Sequence, residues 1–166
     1  MKKFIVLMII ITVILLPAIG VNAASPTAAL SGPSTVRSGD TITVTFRIGG
    51  SGILGASGEL KYDSSKLTLT STAQIIGSPW LVEFNNTAGT VKFIAYDNAQ
   101  TTPVNSTKDL FSMTFKVNSL ATGTNVEIST TKLEYTDGNT DVQPTNVKYS
   151  FSIAAPKSTR TASCSL

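Results

Sequence analysis

The chain has 166 residues, 42% of them hydrophobic and 14% charged, with a formal charge of +3. Once an N-terminal leader is set aside, that is enough for one domain with a real core and too little for two of ordinary size. Setting Lys2 and Lys3 aside takes the basic residues from 13 to 11 against 10 acids, which argues against a nucleic-acid surface built on clustered Lys and Arg. The sequence contains no histidine, so the commonest general base and metal ligand near neutral pH is missing.

Lys2 and Lys3 precede an apolar run from Phe4 to Leu16, and Val21-Asn22-Ala23 offers small residues at a signal-peptidase site. A cleaved leader over 1–23 is expected, placing the protein outside the cell, whether free or held at the surface. The run is shorter than the roughly 18–20 residues that span a bilayer, so contact with a membrane is expected only through an uncleaved leader. Residues 24–27 read as a short linker, 28–153 as the folded domain, and 154–166 as a Ser/Thr-rich tail with too little apolar content to fold. Cys164 is the only cysteine. No intrachain disulfide is available, and stability must come from packing.

Along the chain, Ala28 to Leu30 is a short apolar patch suited to an edge strand. Thr41 to Ile48 alternates without a fault, with Ile42, Val44, Phe46 and Ile48 on one face. After the break at Gly49-Gly50-Ser51-Gly52, a strand from Ile53 to Tyr62 turns Ala56, Gly58, Leu60 and Tyr62 inward and Gly55, Ser57, Glu59 and Lys61 outward. Asp63 to Lys66 is a turn, Leu67 to Ile76 a weaker strand, and Trp80 to Asn85 a short one. From Thr90 to Tyr96 the alternation sends Val91, Phe93 and Ala95 into the core and Lys92, Ile94 and Tyr96 the other way. Two bulky apolar groups on an outer face suggest a surface meant to be covered.

Pro103 excludes a central strand in the loop that follows, and Ser106 to Asp109 fits one helical turn. Leu110 to Val117 alternates again, Val126 to Tyr135 is a further strand, Asp137 to Asp141 a turn, and Val147, Tyr149, Phe151 and Ile153 a last inward set. Eight or nine short strands with almost no helical periodicity imply an all-β, two-sheet sandwich.

Catalytic chemistry finds no footing. Ser129 and Lys132 have the spacing of a nucleophile–base pair, but such a pair needs a helical turn to meet, and here the pattern is a strand. Asp137, Asn139 and Asp141 resemble the start of a calcium loop, yet Val142 stands where the glycine belongs and Lys148 where the bidentate Glu belongs. No metal or other cofactor is expected. Sugar stacking would need exposed rings, and parity leaves only Trp80, Tyr96 and Tyr135 as candidates for direct polysaccharide binding.

Four segments, Gly39 to Val44, Leu60 to Leu67, Gly89 to Ile94 and Leu110 to Val117, together resemble in order the pattern of cohesin domains, over roughly Ala28 to Ile153. The resemblance implies a nine-stranded jelly-roll β-sandwich that is not an enzyme and that binds a dockerin-containing protein, such as a glycoside hydrolase acting on plant cell walls. It also implies a docking face made by the strands at Ile53 to Tyr62 and Gly89 to Tyr96. Gly55, Ser57, Asn85, Lys92, Ile94, Tyr96 and Asp97 fall on that face. Type I cohesins carry an Asn and an Asp where Gly55 and Ser57 stand and an aromatic at Asn85, so the fold carries over more fully than the partner. Either a single-cohesin secreted protein or one piece of a longer scaffold is compatible with the sequence.

Overall fold

The computed structural model describes residues 25–157; the expected leader and cleavage site, the tail from residue 158 and Cys164 lie outside the described residues. Ten strands follow in order: β1 (Thr27–Ser31), β2 (Thr41–Gly49), β3 (Gly55–Tyr62), β4 (Leu67–Gln74), β5 (Trp80–Thr87), β6 (Thr90–Asp97), β7 (Lys108–Val117), β8 (Asn125–Thr136), β9 (Asp141–Val142) and β10 (Lys148–Ser152). All strand pairings are antiparallel. One sheet has the order β1-β2-β7-β4 and the other β10-β8-β3-β6-β5, with β9 added to β8. The two-residue β9 is the strand by which the count exceeds nine.

Alternation in sequence becomes burial in space. Ile42, Val44, Phe46 and Ile48 of β2 and Phe111, Met113, Phe115 and Val117 of β7 are buried, as are Val91, Phe93 and Ala95 of β6. The sheets meet through rings: Phe111 of the smaller sheet contacts Phe93 and Phe84 of the larger, and Phe46 contacts Phe93, with centroids 4.8–5.1 Å apart. Offset and edge contacts at this range add to the stabilisation from area burial. The β5–β6 hairpin turns through Ala88 and Gly89, where Gly89 takes a φ of 79° that side-chain-bearing residues resist.

Two local expectations are corrected. Ser106 to Asp109 is not a helical turn, because Lys108 and Asp109 open β7. Asp109 pairs in register with Arg47, whose Nε donates to its Oδ1, so a cross-strand pair outcompetes the local turn.

The second correction concerns parity in β8. Val126, Ile128 and Thr130 face inward, so strict alternation would put Lys132 and Glu134 inward and Tyr135 out. Instead the register slips between Ser57 and Glu59 of β3, and Lys132 and Leu133 together oppose Gly58. Lys132 takes the left-handed conformation, with a φ of 53°, as the extra residue of a bulge. Leu133 and Tyr135 therefore turn into the core. Gly58 makes room, since a Cβ there would lie 2.6 Å from Leu133 Cδ2. Deleting Lys132 is expected to leave a regular strand with Thr130, Leu133 and Tyr135 still inward, and a melting temperature within about 5 °C of the parent, a change on the order of 1 kcal/mol. Deleting Glu134 instead should expose Tyr135 and abolish the near-ultraviolet circular dichroism of the folded state.

Candidate functional site

The outer face of the larger sheet carries the alternate side chains of β8, β3, β6 and β5. Directly paired residues share a face, so the registers lay these side chains in rows. Tyr96 stands between Gly55 and Leu81, Ile94 between Ser57 and Glu83, and Lys92 between Glu59 and Asn85. Glu134 lies beyond Ser57 on β8. Successive rows are about 6.7 Å apart, two strand residues.

Ile94, midway along β6, is 49% exposed, and Leu81, diagonal to it on the edge strand β5, is 43% exposed. Gly55 and Ser57 beside them contribute little bulk. A shallow trough of about 180 Å³ runs over Gly55 and Ser57, walled by Tyr96, Glu134 and Asp141. A second of about 260 Å³ lies between Ile94, Lys92, Glu83 and Asn85. Both fall below the roughly 300 Å³ at which small-molecule pockets begin, so the face suits a broad macromolecular contact. A Cβ on Gly55 would meet Thr136 Cγ2 at 2.9 Å, and the floor of the first trough therefore depends on glycine.

Charges are sorted along the strands. The Glu59 carboxylate receives three ammonium groups, Lys132 at 3.2 Å and Lys61 and Lys92 at 3.4 Å each. The hydrogen bond from Lys132 is the main reason its pKa is held below the ordinary value; partial burial opposes it, and Lys61 and Lys92 add to the lowering. One row further on, the Tyr96 hydroxyl donates to Glu83 Oε1 at 3.1 Å, and that bond to a carboxylate pushes the phenol pKa up.

A model of the cohesin domain matches residues 26–153. The chain belongs to the cohesin family. Cohesin domains are non-catalytic binding modules. The cohesin superposes on the cohesin module of a Clostridium perfringens family 33 glycoside hydrolase with a TM-score of 0.67 at 13% identity, covering 79% of this chain and 98% of that one. A non-cellulosomal cohesin from the archaeon Archaeoglobus fulgidus gives 0.67 at 19% identity, covering 80% and 93%. The sixth cohesin of Acetivibrio cellulolyticus scaffoldin B, solved with a mutant Cel5 dockerin, gives 0.63 at 20% identity, covering 80% and 99%. At these identities the likeness carries the fold. No curated protein matches the chain.

Of the side chains assigned to the cohesin's face, Ser57, Asn85, Lys92, Ile94 and Tyr96 lie together on it, around the backbone of Gly55. Asp97 does not join them. It is buried, its Oδ2 accepting from Thr102 N at 2.6 Å and Thr102 Oγ1 at 3.0 Å and its Oδ1 from Ala99 N at 3.0 Å. Asp97 follows the inward parity of Ala95, and its carboxylate closes the next loop. Burial raises its pKa, but the donors from Thr102 and Ala99 outweigh this and the net shift is downward. A carboxylate with a lowered pKa stabilises the fold above its unfolded pKa, and that contribution is lost as pH falls through the lower folded value. Asp97→Asn should therefore melt earlier at neutral pH, with the difference from the parent closing in strong acid.

Trp80 and Tyr135 are corrected as well. Both are buried, Trp80 with Nε1 donating to Thr102 O at 3.0 Å and Tyr135 with its hydroxyl donating to Thr27 O at 3.1 Å. Trp80 sits at inward parity with Val82 and Phe84, and Tyr135 is turned in by the bulge. Tyr96, half-buried, is left without a neighbouring ring for a sugar platform. Sequence reasoning missed Leu81, Glu83, Lys132 and Glu134. Leu81 and Glu83 were readable, because with Phe84 inward the odd positions of β5 must face out. Lys132 and Glu134 depended on the bulge.

Proposed function

We propose that this cohesin is a docking module that holds a dockerin-bearing protein, of the polysaccharide-degrading-enzyme class, on the β8-β3-β6-β5 face, outside the cell. The observation that carries the reading is the exposed Ile94, midway along β6, with Leu81 diagonal to it on the edge strand β5 and charged side chains on both sides, in a cohesin domain. Interfaces of standard size bury about 800 Å² per partner, within the reach of one sandwich face. Ile94, with Glu83 on one side and Ser57 and Glu134 on the other, matches the arrangement in which a few central residues carry most of the binding energy. The Acetivibrio relative solved with a dockerin supports the choice of partner class.

The test is titration calorimetry of the immature-leader-free protein against a panel of type I and type II dockerins with calcium present, beside a pull-down on insoluble cellulose. Saturable binding to one dockerin and no retention on cellulose is the expected result. Retention on cellulose without dockerin binding would replace this reading with direct polysaccharide recognition.

A further inference from the structure

The docking face is electrically bipolar along the strands. At the end towards the β5–β6 hairpin, Lys61, Lys92 and Lys132 surround the single carboxylate of Glu59, whose side chain is 13% exposed against 46%, 56% and 75% for the lysines. Three ammonium groups to one carboxylate leave an excess of positive charge in solvent. One row on, Glu83 and Glu134 stand on either side of Ile94, and Asp141 joins Glu134 along the first trough. Among the described residues, Glu83, Glu134 and Asp141 form no salt bridge. The two signs therefore do not cancel within the molecule. Exposed ion pairs stabilise a fold little, and the left-handed Lys132 places its ammonium on this face against local backbone preference.

We infer that the partner carries the opposite polarity: an anionic side chain over the Lys61–Lys92–Lys132 cluster, an apolar one on Ile94, and a cationic one beside Glu83 and Glu134. This rests on the docking reading and adds the chemistry of the partner and its orientation. Complementary charge of this kind acts chiefly on the association rate and on the rejection of wrong or inverted partners. With strand rows about 6.7 Å apart, a partner turned end for end would set like charges against both stripes.

Two measurements test it. In low salt, where screening lengths reach roughly 30 Å, hexaglutamate titrated into 15N-labelled protein should shift the amides of Glu59, Lys61, Lys92 and Lys132. Hexalysine should shift those of Glu83, Ile94 and Glu134, and both effects should vanish in high salt. Shifts that are absent, or spread evenly over the surface, overturn the polarity. With a dockerin that binds the parent protein, Lys92→Glu with Lys132→Glu should slow association at least about tenfold at low salt, and Glu83→Lys with Glu134→Lys should do the same, each gap shrinking in high salt.

Melting curves of both double variants guard against misfolding, with Lys92→Gln and Lys132→Gln as the milder pair. If Ile94→Asp abolishes binding while both charge reversals bind like the parent, the face docks but its polarity does not select the partner. Binding that survives all three changes overturns the docking face and the polarity together. A face so charged is also complementary to a second copy turned end for end, so sedimentation of the free protein belongs in the test: a salt-sensitive dimer blocked by Ile94→Asp would overturn the heterologous partner.

Discussion

Phe111→Ala is expected to destabilise the domain by about 3–5 kcal/mol, the range for removing a fully buried phenylalanine. Phe111 is completely buried, and its ring touches Phe93 at 4.8 Å, Phe84 at 5.1 Å and Phe46 at 5.2 Å. Phe93 and Phe84 belong to one sheet and Phe46 to the other, so the truncation opens a cavity at the plane where the sheets meet. The rings around it are fixed by strand pairing on both sides and can collapse only partly. A loss of this size is a large share of the roughly 5–15 kcal/mol that holds a domain together. The midpoint of urea unfolding should fall sharply with little change in slope. A loss of unfolding free energy of less than about 1 kcal/mol would show that the sheets are held mainly elsewhere.

Ile94→Asp combined with Tyr96→Ala is expected to raise the dockerin dissociation constant by about a thousandfold, the sum of two central-residue losses of roughly 2 kcal/mol each. Ile94 gives up contact area that the free protein leaves half in water. Its replacement puts a carboxylate in register with Glu83 and near Glu134, where a closing interface would have to desolvate it without a partner. Tyr96→Ala removes the ring beside Leu81 and releases the hydrogen bond to Glu83. Because neither side chain is in the core, thermal unfolding should move by only about 5 °C, on the order of 1 kcal/mol. Dockerin titration alongside a melting curve separates the outcomes: unchanged affinity in a folded variant would place docking on some other surface.

Most of the architecture could be read from the chain because the signal is local. Val44, Phe46 and Ile48 recur at every second position, and that period leaves a residue little choice but a two-faced strand with its apolar side on a core. The same rule put Phe93 inside and Ile94 outside, and it needed no knowledge of neighbouring strands. It failed wherever a longer-range pairing intervened. Lys108 and Asp109 joined a strand because Arg47 stood opposite, and Asp97 turned to its own following loop although the family resemblance placed it among the partner contacts.

The sequence by itself therefore determined the class of fold, the inward set of nearly every strand and the outward side of Ile94 and Tyr96, since each follows from side-chain alternation within a few residues. Only the tertiary structure decided that Lys132 is a bulge, that Tyr135 is buried, and that three lysines gather on Glu59. Those features arise where Gly58 leaves room for Leu133 and where β8, β3 and β6 are set side by side. Register between strands distant in sequence depends on packing across the whole sheet, and alternation within one segment carries no record of it.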